Sequence, residues 1–202
     1  MIKFNNMDVQ EYRAPFNSLI GAWYINEKVC DELINFHINS SNKHAGYQTA
    51  YNEIFVNKNI KDSMDVVIHP PDFDNIESIK IYLEYLQECL HRYLQKYPLA
   101  NHVPEFGIRD SINIQHYQPG GGFKAWHFEN GNENILKRYL VFMTFLNDVE
   151  DGGTEFYYQN LCLPAIKGLT LIWPAYWTHS HKGQISKKHE KYISTGWFEF
   201  KV

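Results

Sequence analysis

The stretch that decides the fold is Gln115–Glu129, QHYQPGGGFKAWHFE. Its first residues continue an alternating run, DSINIQHYQ (110–118), which Pro119 and the glycines Gly120, Gly121 and Gly122 then break. It closes on His127-Phe128-Glu129. Residues two apart on an extended chain point to the same face, so this imidazole and carboxylate would share one side of a strand. One more histidine from a distant strand would complete a set of two histidines and one carboxylate. Such a set holds one face of an octahedral iron and leaves three positions open. An arbitrary HxE is more often a surface pair. Here it follows a triple glycine and two bulky aromatics, Phe123 and Trp126, and precedes the polar loop NGNEN (130–134).

The far end of the chain offers that histidine twice. His179 and His181, in YWTHSH (176–181), share strand parity, and both are candidates for an inward position. Gly183 follows, and Lys191 opens the last strand, KYISTGWFEF (191–200). A lone inward lysine is costly to bury unpaired, so Lys191 reads as the partner of an anionic ligand. Lys187, Lys188 and Glu190 read instead as a solvated turn, and His116 and His189 as structural or surface residues.

Between these ends, RYLVFMTFLN (138–147) is a near-continuous apolar strand, DVEDGG turns into TEFYY, and LCLPAIKG and LTLIWP follow. Closely spaced strands after helices predict a mainly β, α+β fold: a barrel or sandwich with helices packed on one face. The first half supplies that cover. Phe16, Leu19, Ile20, Trp23 and Tyr24 read as an edge strand or lid. Asn26 can cap a helix to about residue 38, and Asp74 or Asn75 can open a longer one to about Tyr97. In the second helix Ile76, Ile79, Leu83, Leu86, Leu90, Tyr93 and Leu94 form an apolar stripe at helical spacing. Short strands are expected at Tyr51–Val56 and Asp65–Ile68. No linker or repeat interrupts the 202 residues, which read as one domain, with helical cover over about 1–105 and barrel over about 106–202.

Composition narrows the function classes. Aromatics make up 16% of the chain, favouring strands and a filled β interior. A net charge of -4 without a basic run does not suggest sequence-independent nucleic-acid binding, which needs a basic footprint. Three scattered cysteines, Cys30, Cys89 and Cys162, make neither a disulfide framework nor a zinc knuckle. No apolar run reaches the roughly 18 residues of a membrane span, and the first residues lack the core of a signal peptide. The expectation is a cytoplasmic protein of a reducing compartment.

Together these residues resemble the Fe(II)/2-oxoglutarate-dependent oxygenases, in their prolyl 4-hydroxylase-like branch. The resemblance is dense over about 110–200 and weaker over 22–40, WYINEKVCDELINF. The family's tyrosine, glycines and His-x-acid pair are met by Tyr117, Gly120 to Gly122, His127 and Glu129. Its arginine-led strand ending Leu-Asn-Asp is met by Arg138 through Asp148, and its Gly-Gly turn before a Phe by Gly152, Gly153 and Phe156. Its late His-x-Gly with a basic residue about ten positions on is met by His181, Gly183 and Lys191. The resemblance implies a double-stranded β-helix (jelly-roll, cupin-like) barrel with iron in its mouth. It implies Fe(II) on His127, Glu129 and His181, and Lys191 on the distal carboxylate of 2-oxoglutarate. Tyr117 would help line that pocket, O2 would be the second cosubstrate, and ascorbate is a candidate reductant.

Two departures stand out. Glu129 occupies a position where the branch usually has Asp, one methylene shorter. Phe145 replaces a tyrosine that often reaches the cosubstrate carboxylate, leaving Thr195, Thr170 or another hydroxyl to substitute. Spacing to Lys191 and the following Gly183 favour His181 over His179 as the distal ligand, and the other imidazole would then orient it or face substrate. Trp126, Trp173, Tyr176 and Trp177 are candidate walls, and segments 43–73 and 130–137 candidate substrate contacts. The branch implies hydroxylation of a peptidyl proline. A free amino acid or other small metabolite as substrate, or a non-catalytic cupin-like binding protein, are the alternatives. A zinc hydrolase lacks its helical HExxH.

Overall fold

The computed structural model describes residues 7–50 and 53–201. Its frame is a nine-stranded antiparallel sheet. The order across it is Gln10–Glu11, Gly21–Tyr24, Leu169–Pro174, Arg138–Phe145, Lys191–Phe200, Ile112–Tyr117, Met64–Ile68 and His44–Ala45, with Phe106–Ile108 pairing the far end of Lys191–Phe200. A smaller sheet, Leu161–Ala165, Val149–Phe156 and His181–Gly183, forms the second layer. His127 extends it through reciprocal backbone hydrogen bonds with His181, 3.0 and 2.9 Å. This is the expected double-stranded β-helix.

Strand alternation divides the interior into two cores. On the major sheet Leu140, Phe142, Ile112, Ile114, Val66, Ile68, Tyr192 and Phe198 face the helices. Val141, Met143, Phe145, Tyr117, Trp173 and Ile193 face the smaller sheet, where Phe156 and Leu163 meet them. The helix Glu27–Asn39 starts where the sequence places it, with Asn26 Oδ1 accepting from the Lys28 amide at 2.9 Å. The second helix, Glu77–Lys96, starts later than Asp74 or Asn75, because a 3-10 turn at Pro70–Asp72 and the turn after it use those residues first. It buries Ile79, Leu86, Leu90 and Tyr93 of the stripe, with Tyr82 and Cys89 beside them, while Ile76, Leu83 and Leu94 are only partly buried against the core.

Other expectations shift. In the first half Gly21–Tyr24 is a strand inside the sheet, flanked by Gln10–Glu11 and Leu169–Pro174, while Phe16 and Leu19 are exposed. The expected strand at Tyr51–Val56 reduces to Glu53–Phe55, paired with Gln48–Ala50; Tyr51 and Asn52 lie outside the described residues. The turn expected at DVEDGG is instead part of one strand, Val149–Phe156, whose register shifts between Val149 and Thr154. All three cysteines are free thiols, two of them buried. Among the described residues no helix is long and apolar enough to cross a membrane.

Candidate metal centre and cosubstrate cleft

The triple glycine sets the position of His127. Gly120 adopts φ 85°, which a side chain disfavours, and a Cβ on Gly121 would come within 2.8 Å of the Asp62 carbonyl. The chain can therefore turn and lay Gly122–Phe123 against Lys61–Asp62. Phe123 then stacks on the His127 imidazole, with centroids 3.6 Å apart and planes at 12°. Glu129 is tied down by its amide, which donates to the Ala175 carbonyl at 3.0 Å.

His127, Glu129 and His181 converge, their ligand atoms all within 4.8 Å of one another. Glu129 Oε1 lies 3.4 Å from His127 Nε2 and 3.5 Å from His181 Nε2. Each imidazole has its other nitrogen on a carbonyl: His127 Nδ1 on Ala125 O and His181 Nδ1 on His179 O, both 2.9 Å. A carbonyl accepts only, so these contacts assign the proton of each neutral ring to Nδ1. Both Nε2 lone pairs then face the carboxylate with no proton between them. A cation at their centre converts that repulsion into three bonds, and the residues fit a metal on this ground. Burial alone would raise the Glu129 carboxyl. A ring that takes up a second proton instead donates it from Nε2 to Glu129, and such hydrogen bonds and charge outweigh the effect of burial and hold the Glu129 pKa well below the usual carboxylate value. Burial, with the charge of His127, pushes His181 down. An ionised acid beside a neutral imidazole is the form that binds a cation.

His179 is elsewhere. Trp177–His179 is a 3-10 turn, so the strand parity assumed for the two histidines does not exist. The His179 ring packs against the N-terminal segment, its Nε2 on the Ser18 carbonyl at 2.9 Å. It reaches the cluster only through its backbone carbonyl on His181 Nδ1.

Lys191 lies at the inner end of the same cleft, 5% exposed, paired in register with Tyr117. Its ammonium donates to the carbonyls of Gly152 and Gln184 at 2.8 and 2.9 Å. No carboxylate lies within ion-pair distance of it among the described residues, and burial lowers its pKa to about 8. A cation held only by dipoles in a buried place fits the carboxylate end of a ligand. Its ring neighbour Tyr117 donates to Gln115 Oε1 and stays protonated, its pKa raised by burial and by the charges of Asp65 and Glu129. Thr195 lines the cleft, its hydroxyl donating to Phe142 O at 3.1 Å. Thr170 does not; its hydroxyl sits on the helix side with Thr144. Thr154, which sequence reading passed over, does line the cleft. Its buried hydroxyl has a methionine sulfur, at 4.0 Å, as its hydrogen-bond acceptor. The signal was its parity with Phe156, hidden by the register shift before it.

The cleft measures about 1200 Å³. A small cosubstrate needs only part of that, which leaves room for a second molecule. Tyr47, Gln48, Asp65 and His69 from segment 43–73, and Gly131 to Ile135 from the following loop, line it as expected. Of the four wall candidates only Trp173 faces it; Trp126, Tyr176 and Trp177 point to solvent on the outer surface.

Residues 112–199 match the family model described as the 2OG-Fe(II) oxygenase superfamily. Those residues form a 2OG-Fe(II) oxygenase domain. The matched span holds all six of the residues singled out for iron and cosubstrate. No curated protein sequence matches the chain. Solved structures do. A Pseudomonas putida prolyl-4-hydroxylase superposes with TM-score 0.64 at 15% identity, covering 98% of this chain and 95% of that one. The viral collagen prolyl hydroxylase of Paramecium Bursaria Chlorella virus-1, in its 2OG complex, gives 0.62 at 16%, covering 98% and 99%. A Trichoplax adhaerens prolyl hydroxylase, bound to a hypoxia inducible factor oxygen degradation domain peptide fragment, gives 0.67 at 18%, covering 91% and 86%. At these identities the likeness establishes a shared fold, reaching beyond the oxygenase domain into the helical half. The family match over these residues supports a dioxygenase enzyme.

Proposed function

We propose that this protein hydroxylates a proline residue within a peptide, using Fe(II) on His127, Glu129 and His181 and 2-oxoglutarate anchored on Lys191. The observation that supports the metal assignment is the convergence of three ligand atoms within 4.8 Å of one another, with both imidazoles oriented by carbonyls. Bound Fe(II) and 2-oxoglutarate would supply the oxidation, one atom of O2 entering a substrate C–H bond and the other the succinate released with CO2.

The chain's own residues bind, orient and exclude water. Lys191 would fix the distal carboxylate, with Thr154 taking up the donor role that Phe145 cannot fill and Tyr117 and Thr195 lining the pocket. Met143, Phe145 and Ile193 form an apolar strip on the floor beside Thr195 and Lys191, which keeps that end dry. The outer floor is polar instead: Asp65, Gln115 and Asn113 face the opening, suited to the repeating N–H and C=O groups of an extended peptide. The peptide bound to the Trichoplax relative supports the same class of substrate here.

A free amino acid is the second reading. The buried pair Lys61–Asp65, 2.6 Å apart, borders the cleft and offers one charge of each sign to a zwitterion. Succinate release measured with proline-containing peptides and with free amino acids separates the two. Stimulation by peptides alone is the expected result, and stimulation by free amino acids alone would overturn the peptide reading. Absence of a visible charge-transfer band from anaerobic Fe(II) plus 2-oxoglutarate would overturn the site assignment as a whole.

A further inference from the structure

We propose that Trp197 and Arg138 are positioning residues for Glu129: they hold one carboxylate oxygen off the metal position, so that this longer acid presents only the other. The inference rests on reading His127, Glu129 and His181 as metal ligands.

The two oxygens of Glu129 have separate surroundings. Oε1 faces both imidazoles, at 3.4 and 3.5 Å. Oε2 accepts a hydrogen bond from Trp197 Nε1 at 3.0 Å. The Arg138 guanidinium carbon sits over the Trp197 ring, 3.3 Å from its centroid. Its Nη1 lies 3.7 Å from Oε2 and donates to the Glu129 backbone carbonyl at 3.4 Å. Arg138 is itself braced by Asp110 at 3.4 Å and by the fully buried Glu199 at 3.7 Å. The bracing begins in the sheet, where Arg138 and Glu199 are partners in register, and ends at Oε2.

A glutamate needs such a brace more than an aspartate does. It has one more rotatable bond, and its terminal torsion is broad, so an unheld carboxylate samples many orientations that metal binding would have to freeze. A carboxylate giving both oxygens would also occupy two positions of a six-coordinate metal, whereas one oxygen with two imidazoles leaves three free. The indole N–H can only donate, so it selects an acceptor oxygen and turns that lone pair away from the centre.

The test titrates the purified full chain with Co(II), reading affinity and the visible d–d spectrum, with melting temperature recorded in parallel. Trp197→Phe keeps the ring under Arg138 and removes only the donor. It should weaken Co(II) binding about 10- to 100-fold and change the spectrum while the melting temperature stays near wild type. Arg138→Lys, which keeps the charge but loses the planar stack, should weaken binding by a smaller factor. Glu129→Asp, the residue usual in the branch, should weaken binding here too, because the shorter acid cannot reach both the indole and the imidazoles. Adding Trp197→Phe to it should then cost little more. Wild-type Co(II) affinity and spectrum in Trp197→Phe, or full additivity in the double variant, would overturn the positioning role. Failure of the wild type to bind Co(II) would instead overturn the metal-site reading beneath it.

Discussion

On the strand Arg138–Phe145, Leu140 and Phe142 turn to the helices while Val141, Met143 and Phe145 turn to the cleft. The polar groups on the two sides of the sheet are treated differently. On the helix side the hydroxyls of Tyr82, Thr144 and Thr170 form a chain with links of 2.8 Å, and Thr170 donates onward to the Gly168 carbonyl at 3.3 Å. On the cleft side the polar groups are left with capacity. Lys191 has two carbonyls and no anion, Thr154 a sulfur, and the Trp173 indole N–H has no hydrogen-bond partner among the described residues. A buried polar group with an unfilled bond costs stability. The helix side has unpartnered atoms of its own, Ser194 Oγ and His37 Nδ1, but it is the cleft side that leaves a buried cation without an anion, and that fits a ligand that arrives later.

The contrast can be broken at several points. His127→Ala should have the largest effect: no detectable metal binding and no 2-oxoglutarate turnover in a protein that still melts cooperatively. Metal titration alongside circular dichroism checks it, and retained turnover would remove His127 from the centre. Phe142→Ala tests the opposite side. The ring is fully buried between Tyr82, Phe198 and Gly196, so truncation should cost about 3–5 kcal/mol in denaturant unfolding. The fraction still folded should bind metal normally.

Lys191→Met should raise the 2-oxoglutarate concentration needed for half-saturation about tenfold or more, the loss of a charged hydrogen bond worth roughly 1.5–3 kcal/mol, and leave metal affinity unchanged. The wild type carries a matching pH signature. With its pKa lowered to about 8, Lys191 is charged below that pH and loses its proton above it. Cosubstrate affinity should therefore fall as pH rises through about 8, and the Lys191→Met protein should lack that step. Equal pH profiles would separate Lys191 from the carboxylate. Tyr82→Phe is the smallest change. It removes the first hydroxyl of the closed chain and should cost about 1 kcal/mol, read as a lower unfolding midpoint, with turnover untouched.

Much of this was legible in the chain. The spacing of His127 and Glu129 needs only the two-residue period of an extended segment, and the stripe from Ile79 to Tyr93 only the helical one. Lys191 stood out because apolar residues follow it into a strand. The misreadings share a cause, which is that local pattern fails where the backbone leaves regular geometry. His179 and His181 differ by two residues, but a 3-10 turn ends between them, so equal parity meant nothing. Thr154 was hidden by a register shift, and Trp126, Tyr176 and Trp177 look like pocket walls in sequence yet face solvent.

The sequence by itself determined the period of each element and the kinds of atoms offered to a metal and an anion, because both depend on residues close along the chain. Only the tertiary structure decided which histidine joins Glu129, that Thr170 is turned away, and that Trp197 and Arg138 take up the second oxygen of Glu129. Those outcomes depend on contacts between residues tens of positions apart. Strand pairing and bulges set such contacts, and no local pattern encodes them.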